Sequence, residues 1–93
     1  MIDAKCNVIF AVGFNLVDAV NTAAAANPDV HFVTIDGWNN DPAKVTNLKP
    51  FNYDTVESAY LAGYAAADSS KSKVIGTYGG MQIPAVTDFM DGF

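Results

Sequence analysis

Apolar residues in this chain fall into short runs separated by stretches of helical spacing. Three runs, at residues 7–12, 30–35 and 73–78, are rich in β-branched and aromatic residues and are followed by glycine or by an aspartate and glycine. Continuous apolar runs of this length are typical of buried strands, and for the first run we expect cover on both faces. The pattern therefore predicts three strands of an α/β sheet.

A helix is predicted between the first two strands. Asn15 offers a side-chain oxygen as N-cap, and Pro28 ends the helix because the residue before proline avoids the α conformation. The apolar residues at helical spacing are Leu16, Ala19, Val20, Ala23 and Ala24. Strand, helix and strand in this order predict a βαβ unit, in which the two strands are parallel.

Two further helices are predicted in the second half of the chain. Asp54 and Glu57 have the spacing of a capping box at the start of a helix over Thr55–Ser69. Gly63 lies inside this helix, where the missing side chain would allow another backbone to approach closely. Pro84 suits the first turn of the last helix, which follows the third predicted strand.

The segment between the second strand and the second helix is rich in turn residues. Residues 37–43 are predicted to form a polar loop. Its one large apolar residue is Trp38, for which packing is a better interpretation than stacking on a ligand. Residues 45–48 fit a short strand, whereas residues 50–53 fit neither strand nor helix and are predicted to be a connection.

Composition and charge limit the classes of function that are compatible with this chain. The chain has 93 residues, of which 51 % are hydrophobic and 16 % charged, so a packed domain is favoured over a disordered chain. A net charge of −5 gives no basic surface for nucleic acid. Cys6 is the single cysteine, so no internal disulfide can form. His31 is the single histidine, and these two residues alone cannot supply the ligands of a zinc site. We expect no catalysis, no metal and no cofactor.

Asp36 is the first candidate for ligand binding. It follows the second predicted strand directly, and in open α/β sheets ligands bind beyond the carboxyl ends of the strands. An ionised carboxylate there would accept hydrogen bonds from N–H or O–H groups of a small polar ligand. The competing interpretation is a residue that caps a turn, and both remain open. The glycines after the strands match neither a dinucleotide fingerprint nor a P-loop.

A set of short motifs runs through nearly the whole chain. The motifs are Val12-Gly13-Phe14, Asn27-Pro28-Asp29-Val30-x-Phe32, Ile35-Asp36, Tyr60-Leu61-Ala62-Gly63-Tyr64-Ala65-Ala66, Lys73-Val74-x-Gly76, Gly79-Gly80-Met81-x-Ile83-Pro84 and Phe89-x-x-Gly92-Phe93. In this order they resemble the basic membrane protein family, which comprises substrate-binding lipoproteins of ABC importers, including purine-nucleoside receptors.

The resemblance implies that this chain is the central fragment of a longer protein with a type I periplasmic-binding-protein fold. In that fold two α/β lobes, each a parallel sheet flanked by helices, lie on either side of a cleft. Residues 1–49 would be the end of the first lobe, residues 50–53 a hinge crossover, and residues 54–93 the start of the second lobe. Cys6 does not match the family's lipid-bearing cysteine.

The resemblance also implies positions for the ligand site. Asp36 resembles the first-lobe aspartate that contacts the nucleoside, and Gly13 and Phe14 would border the same cleft. Gly80 and Met81 would lie at a strand end of the second lobe. Other residues of the family's site are absent from this chain, so we expect the fragment alone to lack high-affinity binding.

The implied function is capture of a nucleoside or similar small solute for an ABC permease. The intact protein would be anchored at the outer face of the cell envelope, although this chain shows no signal or anchor. A ligand-sensing regulatory module of the same fold and, more remotely, a small nucleotide-binding α/β domain are the alternatives. The fragment would leave sheet edges open, and self-association is a further expectation.

Overall fold

The chain folds into three strands and three helices, and the computed structural model describes all 93 residues. The strands are β1 (Val8–Val12), β2 (His31–Ile35) and β3 (Leu48–Phe51), and the helices are α1 (Val17–Ala26), α2 (Thr55–Ser69) and α3 (Pro84–Gly92). A 3₁₀ turn at Phe14–Leu16 precedes α1. The predicted α/β class is confirmed. The chain divides into two compact units, residues 1–52 and residues 53–93. None of the helices combines the length and apolarity that crossing a bilayer requires.

The sheet belongs to the first unit and has the order β1-β2-β3, with both pairs of strands parallel. Val12 pairs with Ile35, and Ile35 in turn pairs with Phe51, so all three strands end at the same edge. Helix α1 connects β1 to β2 and completes the predicted βαβ unit.

The core of this unit lies on one face of the sheet. Its buried members are Ile9, Ala11, Val20, Ala24, Phe32 and Leu48. On the opposite face of β1, Val8, Phe10 and Val12 are 49 %, 61 % and 65 % exposed. The predicted cover of β1 on both faces is therefore wrong, because this unit contains a single α-helix and that helix packs against one face only.

Helix α1 differs in detail from its prediction. Its buried residues are Val17, Val20, Asn21 and Ala24. Leu16 is 44 % exposed and belongs to the 3₁₀ turn, and Ala19 is also exposed. Asn15 lies within that turn and caps nothing, since the N-cap residue is Leu16 and no side-chain cap bond forms. The 3₁₀ turn thus moves the start of the helix and rotates its buried face.

Strand β3 was only partly predicted. Of residues 45–48 only Leu48 is in the strand, and the predicted connection at residues 50–53 is wrong for Pro50 and Phe51, which lie in β3. Proline argues against a strand because it cannot donate to a ladder, but it is tolerated where a strand lies at the edge of a sheet. The order of the strands makes β3 such an edge.

In the second unit, α2 and α3 pack against each other through glycines. A Cβ atom on Gly63 would overlap the backbone oxygen of Phe93, and one on Gly92 would overlap the backbone oxygen of Val56. The expectation that Gly63 permits close backbone approach is confirmed. Asp54 is the N-cap residue of α2 but makes no side-chain cap bond, so the predicted capping box is wrong. Its ψ of 88° departs from the extended backbone of typical N-caps.

The third predicted strand, at residues 73–78, does not form. Residues 71–82 are all exposed, and Tyr78 is 95 % exposed. A strand satisfies its backbone groups only beside another strand, and this unit contains none. The strand-like composition of the segment therefore has no partner within its own unit.

Candidate functional site

The candidate site is the edge of the sheet where all three strands end. Gly13 follows β1 and Asp36 follows β2 directly. The Gly13 N–H donates to the carbonyl oxygen of Ile35 at 2.9 Å, and the Asp36 N–H donates to that of Phe51 at 3.2 Å. These bonds extend the ladders past the strands and bring Gly13 and Asp36 to the same edge, which is where ligands bind in open α/β sheets.

Asp36 has an unusual backbone conformation. Its φ of +57° lies in the left-handed region, which aspartate tolerates better than most residues but still at a cost of about 1 kcal/mol. The side chain is exposed and its carboxylate makes no hydrogen bond or ion pair with the rest of the chain. Only the backbone N–H of Asp36 has a structural use, so the carboxylate does not serve as a cap.

Gly37, directly after Asp36, lies in a space that has little room for a side chain. A Cβ atom at this position would lie 3.0 Å from the Cβ of Thr34 and 3.1 Å from a methyl carbon of Val17. Such distances are tighter than normal side-chain packing allows, and Gly37 is buried. The residue next to Asp36 is therefore held between the end of β2 and the start of α1.

Asn21 anchors the loop that follows Gly37. This buried residue of α1 donates from its amide nitrogen to the carbonyl oxygen of Trp38 at 3.0 Å and to that of Val17 at 2.8 Å. Its side-chain oxygen accepts the N–H of Asn40 at 2.9 Å. Sequence analysis missed this residue. The available signal was a polar residue on the apolar stripe of α1, one residue after Val20 and three before Ala24.

Two more asparagines hold the far end of the same loop. Asn39 donates to the carbonyl oxygens of Val45 at 2.7 Å and Leu48 at 3.1 Å. The side-chain nitrogen of Asn47 lies 2.9–3.0 Å from three carbonyl oxygens, those of Ala24, Asn27 and Val30, and its two N–H groups are shared among them. Residues 36–47 are thus a fixed connection between β2 and β3. Trp38 is 40 % exposed, so it is not a fully buried packing residue.

Gly13 and Phe14 lie at the end of β1. Gly13 has a φ of +99°, a value that side chains other than glycine rarely adopt, and no atom would lie within 4 Å of a Cβ placed there. The open space and the missing side chain leave its backbone accessible. Phe14 begins the 3₁₀ turn and is 38 % exposed, so part of an aromatic side chain is accessible next to Gly13.

Gly80 and Met81 lie in the second unit, in the segment before α3. Both are exposed, and the carbonyl oxygen of Met81 accepts the N–H of Ile83 at 3.1 Å. They do not follow a strand, contrary to the prediction, because residues 73–78 form none. No group of three or more His, Cys, Asp or Glu side chains is arranged to hold a metal ion.

Comparison with known proteins identifies the family. A sequence profile described as "ABC transporter substrate-binding protein PnrA-like" matches residues 1–93. The chain is 42 % identical over 86 residues to the ABC transporter nucleoside-binding protein BmpA of Lactococcus lactis, an alignment that covers 92 % of this chain and 24 % of the relative. It is 36 % identical over 92 residues to Basic membrane protein A of Borreliella burgdorferi, covering 98 % of this chain and 27 % of the relative.

Basic membrane protein D of Borreliella burgdorferi is 33 % identical over 91 residues, with 98 % of this chain and 27 % of the relative covered. The chain thus spans about a quarter of the length of these curated relatives. The profile match covers all 93 residues and so includes every motif on which the resemblance rests. This chain therefore belongs to the family of PnrA-like ABC transporter substrate-binding proteins.

Proposed function

We propose that this chain is part of a solute-binding protein that captures a purine nucleoside or a similar small solute for an ABC importer, with Asp36 as a ligand contact. The observation that carries the proposal is the exposed carboxylate of Asp36, which has no partner within the chain and sits at the carboxyl end of the middle strand. Membership of the family and the 42 % identity to a protein named as nucleoside-binding support the choice of ligand class.

A nucleoside offers the groups that this edge of the sheet can recognise. A carboxylate accepts hydrogen bonds from the N–H groups of a base or the hydroxyls of a ribose, and such charge-assisted bonds are stronger than neutral ones. Gly13 leaves backbone accessible beside Asp36, and Phe14 offers apolar aromatic surface to a base. These three residues form the part of the ligand site that we assign to the first unit.

The remaining assignments follow from the same proposal. Residues 1–52, including all of β3, would end the first lobe, and residues 53–93 would begin a second lobe that contributes Gly80 and Met81, with the crossover directly after β3. Ligand binding would favour a closed arrangement of the lobes because contacts from both sides exist only there. The complete protein would be anchored at the outer face of the cell envelope and deliver its solute to a permease.

The decisive experiment transplants this chain into a complete relative. Replacing the matching segment of Lactococcus lactis BmpA by this chain yields a full-length protein in which nucleoside affinity is measurable by calorimetry. Asp36→Asn preserves shape and tolerance of the left-handed region but removes the charge. We expect it to weaken binding roughly 10- to 150-fold, as for loss of a hydrogen bond to a charged group.

Asp29→Asn is the matched control, because Asp29 is also exposed and lies at the opposite, amino end of β2. It should leave affinity unchanged. Equal affinity of the Asp36→Asn chimera and the unmodified chimera, with both folded, would contradict the proposed role of Asp36.

A further inference from the structure

The backbone conformation of Asp36 needs support from its surroundings. At a φ of +57° an aspartate is less stable than in an extended or helical conformation, and such a residue stays in the left-handed region only where other contacts hold it there. On one side, the bond from the Asp36 N–H to the carbonyl oxygen of Phe51 supplies part of this support. The carboxylate supplies none, since it makes no bond to the rest of the chain. The remaining support has to come from the loop that follows.

Helix α1 holds that loop at two points about one turn apart. Val17 lies directly against Gly37, where a side chain would have little room. Asn21, four residues further along the helix, donates to the carbonyl oxygen of Trp38 at 3.0 Å and accepts the N–H of Asn40 at 2.9 Å. The Asn21 amide also donates to the Val17 carbonyl oxygen at 2.8 Å, so both of its N–H groups and its oxygen are used. The backbone that follows Asp36 is therefore attached to α1.

We propose that Asn21 is a positioning residue for ligand binding. By fixing residues 37–40 it keeps Asp36 in the left-handed region and so sets the direction of the carboxylate. Asn21 is 8 % exposed and its amide is bonded within the chain, so it acts on a ligand only through this loop. Without these bonds Asp36 can return to a more stable backbone conformation, which moves the carboxylate away from the ligand. This inference rests on the proposed function, because it requires Asp36 to be a ligand contact.

A double-mutant cycle in the Lactococcus lactis BmpA chimera tests the inference. Calorimetry measures nucleoside affinity for the Asn21→Leu, Asp36→Asn and double variants. We expect Asn21→Leu to weaken binding about tenfold alone but less than about twofold in the Asp36→Asn background, because the contact that Asn21 positions is already weakened there. A residue that only stabilises the fold would have the same effect in both backgrounds.

Val20→Ala is the matched control. Val20 precedes Asn21 in α1 and is buried in the core of the same unit. Its truncation should lower the stability by leaving a cavity, yet leave nucleoside affinity unchanged. Circular dichroism verifies that each variant is folded at the temperature of the titration. Asn21→Ala leaves room for a water molecule beside the loop and replaces Asn21→Leu if the leucine variant does not fold.

Hydrogen exchange of the ligand-free chimera gives a readout that does not depend on binding. Peptides that cover residues 36–40 should exchange faster in the Asn21→Leu variant than in the Val20→Ala variant, since only the former releases the loop. Equal exchange of these peptides, an unchanged affinity of Asn21→Leu, or an equal loss of affinity in both backgrounds would overturn the inference. An unchanged affinity of Asp36→Asn would instead overturn the proposed ligand contact, and the positioning role with it.

Discussion

The side-chain amide of Asn21 donates a hydrogen bond of 3.0 Å to the carbonyl oxygen of Trp38, so helix α1 holds the loop that follows the candidate ligand residue. A second bond, from the Asn40 N–H to the Asn21 side chain, fixes the same loop two residues further on. The position of Asp36 thus depends on a buried polar residue from another element as well as on the end of its own strand.

Removing this anchor should destabilise the first unit. Asn21→Leu keeps the branched shape but leaves the Trp38 carbonyl and the Asn40 N–H without their partner, and we expect a loss of about 2–3 kcal/mol in the free energy of unfolding. Trp38 is the single tryptophan of the chain, so its fluorescence during urea unfolding reports on this unit. Thr22→Val is the control, because the exposed Thr22 hydroxyl bonds only within its own helix, to the Asp18 carbonyl. A loss no larger than that of the control would show that Asn21 is not the anchor.

The left-handed backbone of Asp36 predicts an unusual order of stabilities. Asp36→Ala should lose about 1 kcal/mol, since a Cβ without a helpful polar group disfavours this region, whereas Asp36→Gly should lose nothing or gain slightly. Denaturation monitored at Trp38 measures both variants. If the Asp36→Ala and Asp36→Gly variants were equally stable, the left-handed conformation of residue 36 would not constrain the protein in solution.

Glycine is needed at position 92 for a reason unrelated to backbone conformation. Gly92→Ala would place a methyl group against the Val56 carbonyl, and we expect a loss of about 1–3 kcal/mol from the packing of α2 on α3. Gly76→Ala is the same change in open space, with no atom within 4 Å, and should be neutral or slightly stabilising. Thermal unfolding followed by circular dichroism compares them, and similar effects of both variants would contradict the close contact.

The 93-residue chain on its own should bind nucleosides poorly. It contains about a quarter of the length of its relatives, and the candidate contacts described at the sheet edge come from one unit. Titrating adenosine, guanosine and inosine into the chain by calorimetry should detect no micromolar binding. Clear binding at that level would mean that the site is complete within these residues.

Local patterns predicted most of the fold. Strands β1 and β2 and helices α2 and α3 follow from runs and spacings that each segment carries by itself. The errors concern pairing. Residues 73–78 have a strand composition but no neighbouring strand in their unit, and β3 contains a proline that an edge position tolerates. Whether a strand forms depends on a partner strand elsewhere in the chain. The periodicity of one segment carries no information about that partner.

For the candidate site too, the sequence shows local features but not the contacts between distant residues. Asp36 was identified because it ends a strand, a property that the sequence displays directly. The sequence does not show its left-handed backbone, nor the close packing of Gly37 against Val17, which is a contact between the end of β2 and α1. The anchoring role of Asn21 was hidden for the same reason, since its partners lie about twenty residues further along the chain.

The asparagine contacts of the loop also bear on how readily this edge of the sheet could accept a ligand. Residues 36–47 contain no helix or strand, yet the side-chain amides of Asn21 and Asn39 bond to their main chain, and that of Asn47 ties the end of the loop to the carbonyl oxygen of Val30. Ordering a mobile loop normally subtracts from affinity, because the lost conformational entropy opposes binding. In this loop the conformational entropy is lost during folding, so a ligand that binds the Asp36 carboxylate contacts a segment that is already ordered.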